Sequence, residues 1–410
     1  MEFVNFDTLN KKKIDILCKD KIIKTLHKLE TINKRNKYNN IKNIEKKILN
    51  NFYIDSTKYK ILFDNSLEKL IKNIILNIIH SYTQKKKQIP HIVSTTAESK
   101  HINKILKYLE LKKLCYITLI PPNLYGVISK EIISKSIKYN TCAVILTYTN
   151  NILGTINNIP SIGSMLHNND IPLIVDCDNI IGYKYLDLNI ENIDILFYNF
   201  NSIYGPEDLS VSIINNELIS GYNLYLNDLE LSKYNIYPQI ESSEICLKYL
   251  KKKSIKNINN INKNFKNIII DELNKKFKYI KYINLLTLLN NSDYINNYDD
   301  NIYFTVLEPD IDNYNDDMIL SNIFSFSIYR KNGNLISNER IKKELKKKKI
   351  IISLGDNTNN LNKSDNILLN LKIPEDIRRG FIRISFSINH KENNITKLIK
   401  NIIKIINNIK

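Results

Sequence analysis

A chain of 410 residues, 43% of them hydrophobic, is long enough to bury a large core, which excludes a disordered protein and suggests two or three domains. Its formal net charge is +18, but the lysine runs at residues 11–13, 85–87, 251–253 and 346–349 lack arginine and interleaved aromatic residues. We interpret them as solvated lysine faces, in a composition rich in Asn, Ile and Lys that follows A+T-rich codon bias, rather than as a nucleic-acid site.

The cysteines, the histidines and the apolar runs indicate the cellular compartment and the kinds of site that the chain lacks. The five cysteines have no paired spacing, so we expect small buried hydrophobes in a reducing compartment rather than disulfides or a zinc site. The six histidines show no metal-ligand spacing, and no metal is expected. The first residues lack the order of a signal peptide, and no apolar run is as long as a membrane span. We expect a soluble cytoplasmic protein.

The first half of the chain alternates short apolar runs with longer amphipathic stretches, which predicts a mainly parallel sheet with helices on its faces. The last two runs are joined by too few residues for a helical crossover, so the final strand is expected to be antiparallel. A helix is predicted at 161–167. The predicted strands are 91–94, 115–119, 143–148, 172–175, 194–197 and 209–214.

The second half predicts a smaller α+β domain. After Pro238 we expect a long connecting helix at 240–251 and an Asn- and Lys-rich helical region to about residue 282. Asn-rich stretches at 290–300 and 357–365 are expected to be loops. Further strands are predicted at 301–307 and 380–387, and helices at 338–348 and 394–409. The expected domains are 1–238 and 239–410.

Polar residues cluster where the predicted strands end. In open sheets of this kind ligands bind beyond the carboxyl ends of the strands. The residues expected to meet there are Glu98, Ser99, Asn150, Asn151, 176–179 and 199–202. The only acids among them are Glu98, Asp176 and Asp178, so the pattern predicts a polar pocket.

Three segments carry a family resemblance in order and spacing. Residues 150–154 resemble N-N-E-x-G, 175–182 resemble V-D-x-x-Q-S-x-G, and 203–206 match I-Y-G-P. The chain resembles cysteine desulfurases of the NifS and IscS type, which are class V aminotransferases that use pyridoxal phosphate. The resemblance covers about 91–214, and more weakly the rest. It implies an α/β fold of fold-type I, with a mainly parallel mixed sheet and a smaller α+β C-terminal domain.

The resemblance implies roles for a retained set of residues. Asp176 corresponds to the carboxylate that pairs with the pyridine nitrogen, and Asn179 replaces a glutamine near the ring hydroxyl. Asn150 belongs to the same retained set. Arg383 resembles the arginine that clamps the substrate carboxylate. Equally, Asp176 can be a satisfied polar residue at a strand end, and Arg383 a structural ion-pair member.

The residues that carry the family's chemistry have changed. Ser202 stands at the Schiff-base lysine of S-G-H-K-I-Y-G-P, and a serine hydroxyl cannot form an imine with an aldehyde. Ser99 replaces the histidine that stacks on the cofactor ring. Thr358 or its neighbour takes the place of the sulfur-carrying cysteine. The resemblance therefore does not imply an active enzyme.

The phosphate anchors of the family have changed as well. Asn65-Ser66-Leu67 replaces a G-A-T turn, Asn199 and Asn201 replace the serine and histidine of S-G-H-K, and Ile236 replaces a threonine from the partner subunit. Each charge-assisted hydrogen bond is worth about 1.5 to 3 kcal/mol, so joint loss predicts weak cofactor binding. Pyridoxal phosphate is expected not to be bound covalently.

These departures favour a catalytically inactive pseudoenzyme that acts by binding or regulating other proteins. The family implies a homodimer, with iron-sulfur scaffold or sulfur-acceptor proteins as partners. One alternative is a residual pyridoxal-phosphate enzyme, or a site for another amino-acid-like ligand held by Arg383 and Asp176. Another is a virion-associated or nucleic-acid-binding protein in a virion or viral factory, since degenerate NifS-like proteins occur in large DNA viruses.

Overall fold

The computed structural model describes residues 3–9, 12–282, 301–308, 318–330, 336–354, 367–370 and 375–408. The strands are β1 Val4–Asn5, β2 Tyr59–Asp64, β3 His91–Thr95, β4 Tyr116–Ile120, β5 Thr141–Thr147, β6 Leu173–Asp176, β7 Ile195–Asn199, β8 Ser210–Asn215, β9 Lys278–Tyr279, β10 Ile302–Val306, β11 Ile323–Arg330, β12 Ile350–Ile351 and β13 Phe381–Ser385. The helices are α1 Ile16–Lys28, α2 Lys34–Asn51, α3 Leu67–Lys86, α4 Lys100–Leu111, α5 Lys130–Ser136, α6 Ile159–His167, α7 Leu188–Glu191, α8 Asn216–Tyr222, α9 Asn227–Ser232, α10 Tyr237–Cys246, α11 Lys252–Asn274, α12 Asn338–Lys347, α13 Ile367–Asn370, α14 Glu375–Arg379 and α15 Glu392–Asn407.

The main sheet has the order β2-β8-β7-β6-β5-β3-β4. Strands β3 to β7 pair in parallel, whereas β8 runs antiparallel to both β7 and β2. The predicted mixed sheet and its antiparallel final strand are therefore confirmed, with strand ends shifted by one or two residues. Because parallel strands end on the same edge, β3, β5, β6 and β7 deliver their last residues to one region.

A core lies on each face of this sheet. Every residue of β5 is buried, as expected for a strand covered on both faces. Val144 and Leu146 pack on one face, and Ala143 and Ile145 pack on the other. Each fully buried aliphatic side chain contributes about 1.5–3 kcal/mol, so both faces hold the strand in register. In the described part of the chain, no helix combines the length and apolarity needed to cross a membrane.

The smaller sheet has the order β13-β11-β10-β9, and β12 pairs with β1 from the start of the chain. In the core beside the smaller sheet, Phe304, Phe324 and Ile382 of the strands pack with Phe265 of α11 and Leu398 of α15. This confirms the predicted α+β composition of the second half. All five cysteines are free and buried, as predicted.

Two features of local structure were predicted incompletely. Residues 240–250 are helical as predicted, in α10 and the 3-10 turn Leu247–Leu250, but α10 begins at Tyr237, Lys251 is extended, and the following helical region is the longer helix α11. Strand β2 was not predicted, because its short apolar run shows no period. The loops expected at 290–300 and 357–365 lie outside the described residues. The division between 238 and 239 stays a prediction.

Candidate functional site

The polar residues predicted at the strand ends lie together at the carboxyl edge of the main sheet. The Ser202 hydroxyl donates to Asp178 Oδ1 over 2.7 Å, and the backbone N–H of Asn199 donates to the same oxygen over 2.8 Å. The side-chain amide of Asn179 donates to Asn151 Oδ1. The predicted clustering is confirmed for these residues.

The loop after β7 fixes the position of Ser202. Residues Phe200–Ile203 form one 3-10 turn, capped by Asn199 Oδ1, which accepts from the Asn201 N–H over 2.7 Å. The Gly205 N–H donates to the Phe200 carbonyl over 2.8 Å. A Cβ on Gly205 would lie 2.9 Å from that oxygen, so a side chain there would force the turn apart. The turn therefore presents a serine hydroxyl to Asp178.

Glu98, Asp176 and Asp178 form an acid cluster beside this loop. Glu98 is 1% exposed; its Oε1 accepts from the Thr95 hydroxyl over 2.7 Å, while its Oε2 has no hydrogen-bond partner among the described residues. Burial, with a smaller contribution from Asp176, raises the pKa of Glu98 to about 8. Burial and the Asp178 charge also raise the pKa of Asp176. Glu98 is therefore largely protonated at neutral pH.

Ser99 was predicted to replace the family's ring-stacking histidine. It caps α4, where its Oγ accepts from the Ile102 N–H over 3.4 Å, and it also hydrogen-bonds Asp176. Asp176 Oδ1 accepts from the Asp178 N–H over 3.0 Å. Ser99 and Asp176 thus satisfy each other within the protein, and Ser99 offers no aromatic face.

Asn150 shapes a turn rather than facing a ligand. Its Oδ1 accepts from the N–H groups of Ile152 and Leu153, each over 2.9 Å, and the residue is 1% exposed. Gly154 ends the turn with φ +78°, a conformation that L side chains rarely adopt. The N-N-x-x-G resemblance therefore has a local structural reason.

The start of α3, which was predicted to replace the family's phosphate turn, holds a carboxylate. Buried Asp64 accepts from the Ser66 N–H over 3.1 Å and pairs with Lys69 Nζ over 2.9 Å. Ser66 caps the helix by accepting from the Lys69 N–H over 3.3 Å, and Asn65 is exposed. Sequence reasoning missed Asp64, although an acid two residues before a serine N-cap was a readable signal.

Lys12 contacts the Ser202 loop from the other end of the sequence. Its Nζ donates to the Ser202 carbonyl, and lies 4.6 Å and 5.2 Å from the ring centres of Tyr183 and Tyr204. Its backbone N–H donates to Asn201 Oδ1 over 2.9 Å, and its carbonyl accepts from Asn201 Nδ2 over 3.0 Å. Lys12 is 5% exposed, so a solvated lysine face at residues 11–13 is wrong for this residue.

Arg383 is engaged within the chain. Its Nη2 lies 2.9 Å from Asp7 Oδ1, and its Nη1 donates to the Asn151 carbonyl over 2.9 Å. The residue is 5% exposed, and its buried Nε has no hydrogen-bond partner among the described residues. In this structure, Arg383 is a member of a structural ion pair, which is the second of the two interpretations given above.

Residues 3–9 and 12–15, here called the N-terminal strap, join the small sheet to the Ser202 loop. The Ser385 N–H donates to the Phe6 carbonyl over 2.8 Å, and the Asp15 N–H donates to the Tyr204 carbonyl over 2.8 Å. Asp7 and Lys12 therefore reach the site from a single segment. No local pattern in the sequence indicates either contact.

The remaining site predictions fall elsewhere. Thr358 lies outside the described residues; it or its neighbour was predicted to take the place of the sulfur-carrying cysteine. Ile236 is 7% exposed at the start of α10. Within the described ranges, no group of three or more His, Cys, Asp or Glu residues is arranged to hold a metal ion.

Comparison with known proteins identifies the family. The Aminotransferase class-V model matches residues 25–226. Cysteine desulfurase IscS of Buchnera aphidicola is 31% identical over 137 residues, which is 33% of this chain and 33% of the relative. Residues 25–226 of this chain belong to the class-V aminotransferase family, and the chain is similar to NifS-like proteins. A NifS-like protein of African swine fever virus is 27% identical over 158 residues, which is 38% of this chain and 39% of the viral protein.

Solved structures agree with the fold over the whole chain. A structure titled NifS-like protein superposes with a TM-score of 0.77 at 16% identity, covering 99% of both chains. The fold is therefore that of fold-type I cysteine desulfurases. The sequence match to the curated relatives spans only about a third of their length.

Pyridoxal phosphate, the cofactor of the family, does not fit the residues present. At the start of α3, Asp64 already accepts from the Ser66 N–H and is paired with Lys69, so neither group is free to bind a second anion. Asn199 Nδ2 donates to the Glu207 carbonyl over 2.7 Å and to Ser210 Oγ over 3.0 Å, and Asn201 is bound to Lys12. The residues predicted to replace three phosphate anchors are thus committed to other contacts.

Proposed function

We propose that this NifS-like chain does not carry out the desulfurase reaction and acts by binding another protein. The observation that carries the proposal is that the chain's own side chains fill the site. The Asp7 carboxylate forms an ion pair with the Arg383 guanidinium, and the Ser202 hydroxyl donates a hydrogen bond to Asp178. Pseudoenzyme status, a homodimer and a cytoplasmic location are parts of the same proposal.

The Asp7 contact bears directly on amino-acid binding. A substrate carboxylate that used Arg383 would have to displace the Asp7 carboxylate, which lies 2.9 Å from Nη2 on a side chain with 18% exposure. An intramolecular partner is present at a high effective concentration, so a free amino acid competes poorly. This supports a site that does not turn over cysteine.

The surface of α1 supports a binding role. Four large apolar side chains on this helix are exposed: Ile16, Leu17, Ile23 and Leu26, at 71%, 57%, 45% and 54%. Clustered exposed apolar groups mark interaction sites in soluble proteins. We place the second copy or protein partner on this helix.

Cysteine-dependent sulfide release tests the proposal. The purified chain, supplied with pyridoxal phosphate, cysteine and a thiol reductant, should release no more sulfide than a protein-free control. Ser202→Lys should stay inactive, because it restores the amine but leaves Asp64, Asn199 and Asn201 unchanged. Cysteine turnover by the unchanged chain would contradict the proposal. Turnover by Ser202→Lys alone would show that only the lysine had been lost.

A lysine-lined cleft favours polyanion binding as a second candidate function. It encloses about 460 Å³ beside α11. Its walls carry the basic side chains Lys184, Lys252, Lys256 and Lys263. Retention on DNA that falls steeply with salt, and that is lost when Lys252 and Lys256 become glutamate, would support this function. Retention unchanged by the double substitution would exclude the cleft.

A further inference from the structure

The fold brings aromatic rings to the lysine-lined cleft beside α11, although the lysine run at 251–253 contains none in the sequence. The Nζ of Lys252 lies 4.3 Å from the ring centre of Tyr185. The Tyr185 ring packs edge to face against the ring of Tyr53, with 4.9 Å between the ring centres. Lys252 and Tyr185 both line the cleft. Basic and aromatic side chains are therefore interleaved on one surface.

Tyr53 supplies an exposed ring at the margin of this cleft. It follows the end of α2, where its carbonyl accepts from Asn189 Nδ2 over 2.7 Å, so its backbone is held in place. Tyr53 is 53% exposed, and part of its side chain is open to solvent. An exposed aromatic ring can stack on a nucleic-acid base, and such stacking tolerates any sequence because every base has a π-face.

The lysines of α11 lie along one face of the helix. Lys252, Lys256 and Lys263 are four and seven residues apart, close to whole turns of an α-helix, and all three line the cleft. Lys184 joins them from the segment before α7, and its Nζ donates to the Tyr148 hydroxyl over 3.1 Å. Among the described residues that line the cleft, none is Asp or Glu. The surface therefore presents several ammonium groups that suit a row of phosphates.

We propose that the cleft and Tyr53 form a binding surface for single-stranded nucleic acid, in which the lysines contact phosphates and the Tyr53 ring stacks on a base. This inference rests on the second candidate function above and names its ligand. A cleft of about 460 Å³ admits the backbone of one strand but not a base-paired duplex, whose major groove alone is about 12 Å wide. The bases of a duplex are also stacked on one another, so Tyr53 can reach one only after it is unstacked. Single strands are therefore favoured.

Fluorescence anisotropy with the full chain tests the proposal. The probes are a labelled oligothymidylate of about 15 nucleotides and a labelled duplex of the same length. We expect the single strand to bind at least about 10-fold more tightly, because only it can gain base stacking on Tyr53. Its affinity should fall steeply as salt is raised, because the lysines displace counterions from the phosphates.

Two pairs of lysine substitutions separate a cleft from a general basic charge. Lys252→Gln with Lys256→Gln should weaken single-strand binding by about 10-fold or more. Lys251→Gln with Lys253→Gln removes the same charge from the same run, but these two residues do not line the cleft, so binding should change by less than about 2-fold. Glutamine and lysine have similar helix propensities, so both variants should fold.

The ring of Tyr53 is tested in the same way. Tyr53→Ala should weaken single-strand binding by about 5-fold or more and leave duplex binding unchanged. Tyr53→Phe should retain the affinity, because stacking needs the ring and not the hydroxyl. Tyr139→Ala, at an exposed tyrosine outside the cleft, is the control and should have no effect.

Equal binding of single strand and duplex would overturn the proposal, as would equal losses from the two lysine pairs or unchanged binding by Tyr53→Ala. If both forms of DNA bind through Lys252 and Lys256 without any effect of Tyr53, the second candidate function holds and this inference fails. If neither form binds, both fail. If Tyr53→Ala does not fold, the strand preference and the lysine pairs decide. Sulfide release is read separately, so its outcome does not affect this result.

Discussion

The acid cluster and the N-terminal strap bury opposite charges on the two sides of Ser202. Glu98 and Asp176 are held by hydroxyls and one backbone N–H, and burial raises their pKa values. On the strap, Lys12 is held by a carbonyl, and burial lowers its pKa. Asp178 lies between the two regions, but its carboxylate accepts hydrogen bonds from the Ser202 hydroxyl and the Asn199 N–H. Burial favours the neutral forms of Glu98, Asp176 and Lys12, and these groups do not form ion pairs with one another. A rise in pH should therefore lower the stability that the acid cluster contributes and raise the stability that Lys12 contributes.

The largest effect is expected at Glu98. Its folded pKa, about 8, lies above the ordinary value of 4.5, so the folded state holds a proton that the unfolded state releases between these values. Stability from this group is present below pH 4.5 and is lost as pH rises to about 8. Between pH 5 and pH 9, Glu98→Gln should remove on the order of 4 kcal/mol of this decline, measured by urea unfolding. The exposed Glu110→Gln is the control, and equal slopes for both variants would contradict the burial argument.

The second-largest effect on stability is expected at the ion pair between Asp7 of the strap and Arg383. Asp7→Ala leaves the Arg383 guanidinium buried with only the Asn151 carbonyl, and should lower the free energy of unfolding by about 3 kcal/mol. The exposed Asp20→Ala on α1 should change it by less than about 0.5 kcal/mol. A double-mutant cycle with Arg383→Leu measures the coupling. A loss for Asp7→Ala no larger than for Asp20→Ala would show that the strap contributes little.

Lys12 should show the opposite dependence on pH. Its folded pKa, about 7, lies below the ordinary 10.5, so the folded state loses its proton first and stability rises with pH between these values. Lys12→Met removes this term, so the stability of the unchanged chain relative to the variant should rise by about 2–3 kcal/mol from pH 6 to pH 9. Lys13→Met should leave the dependence intact. A parallel pair of curves for Lys12→Met and the unchanged chain would mean that Lys12 keeps its proton.

The smallest effect is expected where the two regions meet. Ser202→Ala removes the hydroxyl that donates to Asp178 over 2.7 Å and should cost about 1–2 kcal/mol by chemical unfolding. Ser164→Ala, on the exposed face of α6, is the matched control and should be neutral within about 0.5 kcal/mol. No loss at Ser202 would indicate that Asp178 finds another donor.

The acid cluster could be predicted from the sequence, whereas the strap could not. Alternating apolar runs locate the ends of parallel strands: Asp176 ends β6, Asp178 follows it by two residues, and Ser202 lies in the turn after β7. The Asp7–Arg383 and Lys12–Ser202 contacts join residues 376 and 190 positions apart, so they leave no periodic signal. A run of identical lysines also does not indicate which member is buried. Tertiary packing makes that choice.

The most direct test of the central claim is a pyridoxal phosphate titration of the purified chain, followed by absorbance and by the cofactor retained after dialysis. We predict no stoichiometric cofactor and no visible band, because Asp64, Asn199, Asn201 and Ser202 leave neither a phosphate site nor a loop lysine. One retained cofactor per chain, with a visible band that is lost in Lys12→Met or Lys184→Met, would contradict the account.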